Sequence, residues 1–391
     1  MTTSAPTQTA GLSPRILVLR EGRAGDDRQL VNLADALGRP YEVVPFHISV
    51  GRVIRDRVLD ALNIPGPMPD GQHWGPPWPD LVLATGGRAV SAATRLRRMS
   101  GGRTKIVFVG RPWAPLSRFD LVITTPQYRL PDAPNVIQNL LPLNALDDTR
   151  LADGAAHVRP RVRHLPAPRI AVLLGGDNSS HRLDAATARR IAARASARAR
   201  AFGGSLMVTS SPRTPAEAMD AFESALDAPA TVYRWQPRDP ENPLTGYLAL
   251  ADRIIVTGES ASMLAEACAT GKPVEVAGLP KRTRARLLTR PFGGRLTGLA
   301  RALAPLGRAL ARTGTAVPPR DLDRLHTELY RHAVPADADG TAIRVTVGAD
   351  LRRAVAGVNA LLAQHGATTY KTVGQVAGDL AVHPAHNEQS G

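Results

Sequence analysis

The residues best suited to chemistry in this chain follow short apolar runs, where buried strands of a parallel sheet would end. The run at 253–256 is apolar and rich in β-branched residues, and a polar turn at 257–260 follows it. Small polar side chains in such a turn cap the next helix and leave backbone N–H groups for a ligand. With the helix predicted over 261–269, this unit predicts a ligand site whose candidate residues are Gly258, Ser260, Ser262 and Glu266.

Two further turns in the second half of the chain also follow predicted strands. They contribute Gly175 and Gly176 after the strand at 169–174, and Ser210, Ser211 and Arg213 after the strand at 205–209. The serine hydroxyls can donate hydrogen bonds, and the fork of an arginine suits a phosphate group. The alternative is an ordinary Ser/Pro turn whose arginine lies in solvent.

The first half of the chain has a comparable loop at 22–29, between a predicted strand and a predicted helix. Gly22 and Gly25 allow close approach of the backbone, and a helix N-terminus favours an anion or a hydroxyl-rich ligand. Asp26 and Asp27 either cap this helix or act as a general base, which requires a raised pKa or a well-placed acceptor proton. The other candidates on this side are Gln29, Gly87 and Arg88, the last either a phosphate contact or a surface arginine.

Composition sets the class of protein. The 391 residues, 43% of them hydrophobic, suffice for two domains with separate cores. No apolar run approaches a membrane span, and the polar N-terminus lacks the features of a secretory signal, so a cytoplasmic location is expected. The single cysteine, Cys268, is interpreted as a small buried hydrophobe rather than a nucleophile. The histidines are scattered without ligand spacing, so no metal site is predicted.

The net charge of +15 raises nucleic acid, anionic membranes and phosphorylated ligands as partners. Nearly all of this charge is arginine, and an Arg/Ala-rich segment such as 189–200 is typical of a GC-rich bacterial genome. We interpret that segment as the solvated face of a surface helix. Aromatic residues make up 4% of the chain, too few for base-stacking platforms, so nucleic-acid binding is not expected.

Strands alternate with helical stretches twice along the chain, which favours parallel, doubly wound sheets. The predicted fold is α/β, with two Rossmann-like doubly wound parallel-sheet domains and an interdomain cleft. The predicted divisions are a disordered tail at 1–14, an N-terminal domain at 15–160, a C-terminal nucleotide-sugar-binding domain at 166–365 and a disordered tail at 366–391. The Pro- and Arg-rich segment at 159–168 is the predicted linker.

The stretch at 256–276, VTGESASMLAEACATGKPVEV, resembles the C-terminal half of GT-B-type glycosyltransferases. More specifically, it is similar to the mitochondrial fission ELM family of plants and many bacteria. The loops GRAGDDRQ, TGGR and TSSPRTP agree with that family, and the resemblance covers roughly 16–280.

The resemblance implies a GT-B-like fold and a nucleotide-sugar donor held by the second half. It implies that Glu266 bonds the ribose hydroxyls, although a solvated helix glutamate remains the alternative, and that Gly175 and Gly176 meet the pyrophosphate. The loop at 22–29 would face the acceptor. The chain lacks the Asp-x-Asp of metal-dependent glycosyltransferases, so helix dipoles and cations would stabilise the leaving diphosphate.

Three positions depart from the family pattern, and the last of them weakens the case for catalysis. Leu244 replaces an aromatic residue, Glu259 replaces aspartate, and Gln127 with Tyr128 replaces an acidic or histidine pair. The sequence thus supports a metal-independent glycosyltransferase or nucleotide-sugar-binding protein with an unknown acceptor. The alternative is a non-catalytic adaptor on the same fold, analogous to the fission factors of plants, whose basic surface could contact anionic lipid.

Overall fold

The computed structural model describes residues 13–22, 24–45, 75–112, 114–282, 320–336, 342–345 and 349–380. The chain divides into two compact units. The first comprises Met1–Val109, Ser117–Val122 and Arg353–Gly391, and the second comprises Gly110–Leu116 and Ile123–Arg352. Most of the tail predicted at 1–14, and the last part of the tail predicted at 366–391, lie outside the described residues.

The first sheet has six strands in the order β2-β1-β3-β4-β5-β6. They are β1 Ile16–Arg20, β2 Tyr41–Pro45, β3 Leu81–Thr85, β4 Lys105–Val109, β5 Leu121–Thr124 and β6 Val136–Gln138. The pairings of β1 with β2, of β1 with β3 and of β3 with β4 are parallel. Helices α1 Ala24–Ala36 and α2 Gly86–Met99 follow β1 and β3, and α3 Asp148–Val162 follows β6. Every residue of β3 is buried, as expected of a central parallel strand.

The second sheet has seven strands in the order β12-β13-β11-β10-β7-β8-β9. They are β7 Arg169–Leu173, β8 Ser205–Thr209, β9 Ala230–Tyr233, β10 Arg253–Thr257, β11 Val274–Ala277, β12 Val334–Pro335 and β13 Ala342–Arg344. The five strands from β7 to β11 pair in parallel, whereas β13 pairs antiparallel with both β11 and β12. The helices are α4 Ala185–Ala201, α5 Ala216–Ser224, α6 Leu244–Leu250, α7 Ala261–Ala269, α8 Leu322–Arg331 and α9 Ala349–Leu380.

Both faces of the second sheet are covered by apolar side chains. In β10, Ile254 and Val256 pack into one buried cluster and Ile255 into the other. This alternation follows from the two-residue period of a strand, and it explains why the strand is apolar throughout. The first cluster includes Cys268, which is 1% exposed, and burial raises the pKa of its thiol to about 12. The interpretation of this cysteine as a buried hydrophobe is confirmed.

The α/β class and the parallel sheets are confirmed, but several element boundaries differ from the prediction. Helix α1 begins at Ala24, inside the predicted loop at 22–29. Helix α3 runs to Val162 through the start of the predicted linker, with Pro160 inside it, because Val158 and Val162 lie one turn apart and are both buried. Helix α9 continues to Leu380, past residue 366 where the predicted tail begins, and no proline interrupts this stretch. No helix in the described part of the chain is both long and apolar enough to cross a bilayer.

Candidate functional site

The carboxyl ends of three adjacent parallel strands, β10, β7 and β8, bring the candidate residues of the second unit together. The turn after β10 reaches the turn after β7 through the Gly176 N–H, which donates to Glu259 Oε1 over 2.6 Å. It reaches the turn after β8 through Arg213 Nη2, which donates to Ser260 Oγ over 3.1 Å. This edge is where open α/β sheets bind ligands, because the loops of neighbouring strands converge there.

The glycine pair after β7 is tied to its own chain. The Gly175 N–H donates to Thr257 Oγ1 over 2.8 Å, and the Gly176 N–H donates to Glu259 as described. A Cβ atom on Gly175 would overlap Glu259 Oε1, and one on Gly176 would overlap the Arg213 carbonyl. Glycine is required here so that the side chain and backbone of the adjacent turns can approach closely. Contact of the two N–H groups with a donor diphosphate therefore stays a prediction.

Glu259 is a buried carboxylate at the centre of this edge. Its side chain is 0% exposed, and Arg213 Nη2 lies 3.8 Å from Oε1. Its second oxygen, Oε2, has no hydrogen-bond partner among the described residues. Burial raises the pKa of Glu259, although the Gly176 N–H, Thr257 and Arg213 each oppose that shift. The sequence marked this residue only as a departure from the family pattern, yet it joins the three turns.

Arg213 presents its guanidinium at the same edge. Its side chain is 42% exposed, so the donors that do not bond Ser260 are accessible to a ligand. The turn that carries it is fixed by Thr214, whose Oγ1 donates to the Leu174 carbonyl over 3.1 Å and accepts from the Ser211 N–H over 2.9 Å. The arrangement places a half-buried positive charge where a phosphate could bind.

The remaining candidate residues of this unit differ in the hydrogen bonds and the exposure of their side chains. Ser210 Oγ accepts from the Trp235 N–H over 2.8 Å, which links the turn after β8 to the chain after β9. Ser211 Oγ lies 3.1 Å from Thr214 Oγ1, in its own turn. Ser260 precedes α7 without a side-chain capping bond. Ser262 and Glu266 lie half-buried on the first two turns of α7. The N-terminus of α7 is thus available to an anion.

Two histidines that the sequence analysis set aside lie against this edge. His326 Nε2 is 2.8 Å from the Gly258 carbonyl, and because a carbonyl only accepts, that nitrogen carries the proton. His181 Nδ1 lies 3.0 Å from Ser180 Oγ, and its backbone forms an isolated bridge with Lys281. Spacing along the sequence gave no signal for this pair, since α8 brings His326 from beyond the segment that resembles the family. In the described part of the chain, no group of three His, Cys, Asp or Glu residues is placed to hold a metal ion.

Protonation of this histidine pair should lower stability in mild acid. Burial is the main cause that lowers the pKa of His181 and of His326 below 6.5; Lys281 lowers both further and Asp323 opposes it. A bond to the Gly258 carbonyl also raises the pKa of His326, whereas the charge of His326 lowers the pKa of His181. Because the unfolded chain binds protons more readily than the folded one, the stability contributed by neutral imidazoles is present above pH 6.5 and is lost as the pH falls from 6.5 through the lowered folded pKa values.

We therefore expect His326→Asn to reduce the fall in unfolding free energy between about pH 7.5 and about pH 5.5, measured by urea titration. The exposed His164→Asn serves as the control and should leave the pH dependence unchanged. Parallel pH profiles for the wild type and His326→Asn would show that this imidazole does not control the effect.

In the first unit, Asp27 closes the loop between β1 and α1. It is 2% exposed, and its carboxylate accepts from the Glu21 N–H over 3.1 Å and from the Gly22 N–H over 3.0 Å. Arg20 Nε lies 3.4 Å away. These bonds close the loop before α1 and do not cap the first N–H groups of the helix, because Glu21 and Gly22 precede it. Asp26 and Gln29 are half-exposed, and Gly25 is exposed, so catalysis on this loop stays a prediction centred on Asp26.

A second buried glutamate occupies the start of α2. Glu21 Oε1 accepts from the Ala89 N–H over 2.6 Å, and a Cβ atom on Gly86 would overlap the same carboxylate. The chain's own negative charge thus stands at the helix N-terminus where a ligand anion was predicted beside Gly87 and Arg88. The sequence analysis missed Glu21 because it immediately follows a strand and matches no motif. The Arg88 side chain lies outside the described residues.

Comparisons with known proteins agree with the sequence resemblance. Over 222 residues the chain is 30% identical to the mitochondrial fission protein ELM1 of Arabidopsis thaliana, an alignment that covers 51% of this chain and 52% of that relative. The chain therefore matches about half the length of this curated relative.

Solved structures that resemble the fold include a glycosyltransferase from Rickettsia africae, with 10% identity, a TM-score of 0.43, and coverage of 90% of this chain and 99% of the other. A UDP-GlcNAc 2-epimerase from Neisseria meningitidis, bound to UDP-GlcNAc, gives 10% identity, a TM-score of 0.40, and coverage of 81% and 99%. MurG from Acinetobacter baumannii gives 15% identity, a TM-score of 0.38, and coverage of 81% and 94%. These similarities are too distant to support any conclusion beyond the α/β architecture described above.

The family match is longer than the sequence alignment with ELM1 of Arabidopsis thaliana. Residues 24–318 match the sequence family described as Mitochondrial fission ELM1. Because this match extends over more than half of the chain, the protein belongs to the mitochondrial fission ELM1 family.

Proposed function

We propose that the second unit binds a nucleotide-sugar at the carboxyl ends of β7, β8 and β10, as the donor site of a metal-independent glycosyltransferase. The observation that carries this proposal is the position of Arg213. Its guanidinium is half-exposed, bonded to Ser260 and close to the start of α7. A positive fork beside a helix N-terminus can neutralise a diphosphate without a metal ion.

The donor would be held differently from what the family resemblance implies. The Gly175 and Gly176 N–H groups already have partners, so the diphosphate would rest on Arg213 and on the first N–H groups of α7. Glu266 lies on the second turn of the same helix, and it would accept hydrogen bonds from the ribose hydroxyls, as the family resemblance implies. A phosphate that draws Arg213 away would leave Glu259 with less compensation for its charge, which favours the protonated form of that buried acid.

Calorimetric titration of the full chain with UDP-, GDP- and ADP-sugars tests this site. We expect saturable binding to one of them, weakened about tenfold to a hundredfold in Arg213→Met because a charge-assisted hydrogen bond is lost. Glu266→Ala should weaken binding as well. The control is Arg189→Met, an exposed arginine on α4, which should bind as the wild type does.

The non-catalytic adaptor is the second candidate, and one observation favours it. Asp27 is buried with three partners in its own loop, which leaves Asp26 as the remaining candidate base there. If the titrations give no saturable binding to any of the three donors, the nucleotide-sugar proposal fails and the adaptor becomes the better hypothesis. Saturable binding without release of nucleoside diphosphate would instead point to a binding protein.

A further inference from the structure

A second polar cluster in the described residues takes no part in the proposed donor site. It comprises Arg111, Thr124, Thr125 and Gln127, and we refer to it as the Arg111 cluster. Arg111 follows the end of β4, and Thr124 is the last residue of β5. These positions belong to the carboxyl ends of strands, where the loops of α/β sheets place ligands.

Arg111 is a buried cation without a matching anion. The residue is 8% exposed, and its Nη1 donates to the Tyr128 carbonyl. No carboxylate of the described residues forms an ion pair with it, and burial is the cause that lowers its pKa. A guanidinium has five N–H donors, and burying it without a negative partner costs free energy. The donors that Tyr128 does not use are therefore available to an anion.

Three residues at or just after the end of β5 are buried and unsatisfied, and the Gly110 N–H, next to Arg111, donates to the Ile123 carbonyl, next to Thr124. Gln127 is 1% exposed, and neither its Oε1 nor its Nε2 has a hydrogen-bond partner among the described residues. The hydroxyls of Thr124 and Thr125 are also buried without partners there. Buried polar atoms in folded proteins are nearly always bonded, so four unsatisfied atoms within four residues call for a ligand or ordered water.

The backbone of the turn that carries Gln127 is held on several sides, so the position of these residues is fixed. The Tyr128 N–H donates to the Thr125 carbonyl over 3.0 Å, and the Asp321 N–H donates to the Gln127 carbonyl over 3.0 Å. The Arg320 guanidinium lies 4.9 Å from the centroid of the Tyr128 ring. Arg111 reaches the same turn through the carbonyl of Tyr128, the residue that follows Gln127.

We propose that the Arg111 cluster binds a phosphate group, with Arg111 supplying the charge and Thr124, Thr125 and Gln127 supplying neutral donors. The cluster offers more donors than acceptors, which suits a tetrahedral oxyanion with many lone pairs. A metal cation does not fit, because the cluster has no carboxylate. The proposal does not depend on the donor site, and it would survive the failure of the nucleotide-sugar titrations.

Inorganic phosphate is the first probe, compared with chloride at equal ionic strength. We expect phosphate to raise the thermal midpoint of the wild type by a few degrees more than chloride does, because it binds the folded state. Arg111→Met should weaken the phosphate response at least about tenfold. Arg189→Met removes an exposed arginine and should respond as the wild type does, which separates the cluster from the general attraction of a basic protein.

Gln127→Leu provides a second test, which does not depend on whether Arg111→Met folds. Without phosphate we expect this variant to be more stable than the wild type, since it removes two unsatisfied buried atoms at similar volume. Its phosphate response should be smaller. A destabilised Gln127→Leu protein with an unchanged phosphate response would overturn the proposal, as would equal responses in the wild type and Arg111→Met.

Vesicles of phosphatidylcholine with phosphatidic acid distinguish the two sources of a phosphate group. Sedimentation with these vesicles that depends on Arg111 would identify a lipid headgroup as the ligand. A response to inorganic phosphate without such sedimentation would identify a soluble phosphorylated molecule. If neither probe gives an effect that depends on Arg111, the cluster does not bind phosphate.

Discussion

Gly176→Ala is expected to destabilise the second unit by about 3 kcal/mol, among the largest effects of any single methyl group in this chain. The added Cβ atom would overlap the Arg213 carbonyl and would lie 2.6 Å from the Thr214 nitrogen. Both neighbours are backbone atoms of a turn fixed by Thr214, so they cannot move aside as a flexible side chain would. Urea unfolding of the variant measures the loss.

The matched control is Gly278→Ala. A Cβ atom on Gly278 meets nothing within 4 Å, and the residue has no positive φ. We expect a change within about 0.5 kcal/mol, as for an ordinary surface substitution. Equal stabilities of the two alanine variants would mean that the turn after β8 does not approach Gly176 as closely as the structure shows. Loss of nucleotide-sugar binding in Gly176→Ala alone would agree with the proposed site.

Glu259→Ala should cost about 3 kcal/mol, whereas Glu259→Gln should cost about 1 kcal/mol or less. The alanine leaves the Gly176 N–H buried without its acceptor and Arg213 without its nearest carboxylate. The glutamine keeps an oxygen for the Gly176 N–H and removes a charge that is expensive to bury. A glutamine variant as unstable as the alanine variant would show that the negative charge, and not the acceptor, is required.

The pH dependence gives an independent check on Glu259. Burial raises the pKa of this carboxyl above its ordinary value of 4.5, so the folded protein holds the proton more tightly than the unfolded chain. Its contribution to stability is therefore present at low pH and is lost as the pH rises from 4.5 through the raised folded value. The stability of the wild type relative to Glu259→Gln should fall over that window, measured by urea unfolding at a series of pH values.

Glu21 and Glu259 are used in the same way in the two units. Glu259 follows β10, and it meets the glycine pair that follows the adjacent strand β7. Glu21 follows β1, and its carboxylate meets the start of α2 at Gly86, after the adjacent strand β3. In each case a buried carboxylate satisfies backbone N–H groups that a ligand anion would otherwise take. The glycine turns in the sequence predicted more N–H groups available to a ligand anion than the structure leaves, because these carboxylates already accept from some of them.

The sequence by itself determined the α/β class, most of the strands, the polar turns after them and the burial of Cys268. These features are local: an apolar β-branched run forms a buried strand wherever it is placed, and a polar turn after it lies at the edge of the sheet. The end of helix α3 was not predicted, because proline usually ends a helix. Here the burial of Val158 and Val162 outweighs the helix-breaking tendency of Pro160.

Only the tertiary structure decided which groups are partners. Whether Gly176 faces a ligand or Glu259, whether Asp27 is a base or a loop closure, and whether His326 meets Gly258 all depend on which strands are neighbours. The same holds for Arg111, which the sequence showed as one arginine among many and which the fold buries against the Tyr128 carbonyl. Strand order is set by the packing of the whole core, and residues far apart in the chain meet only after that order exists.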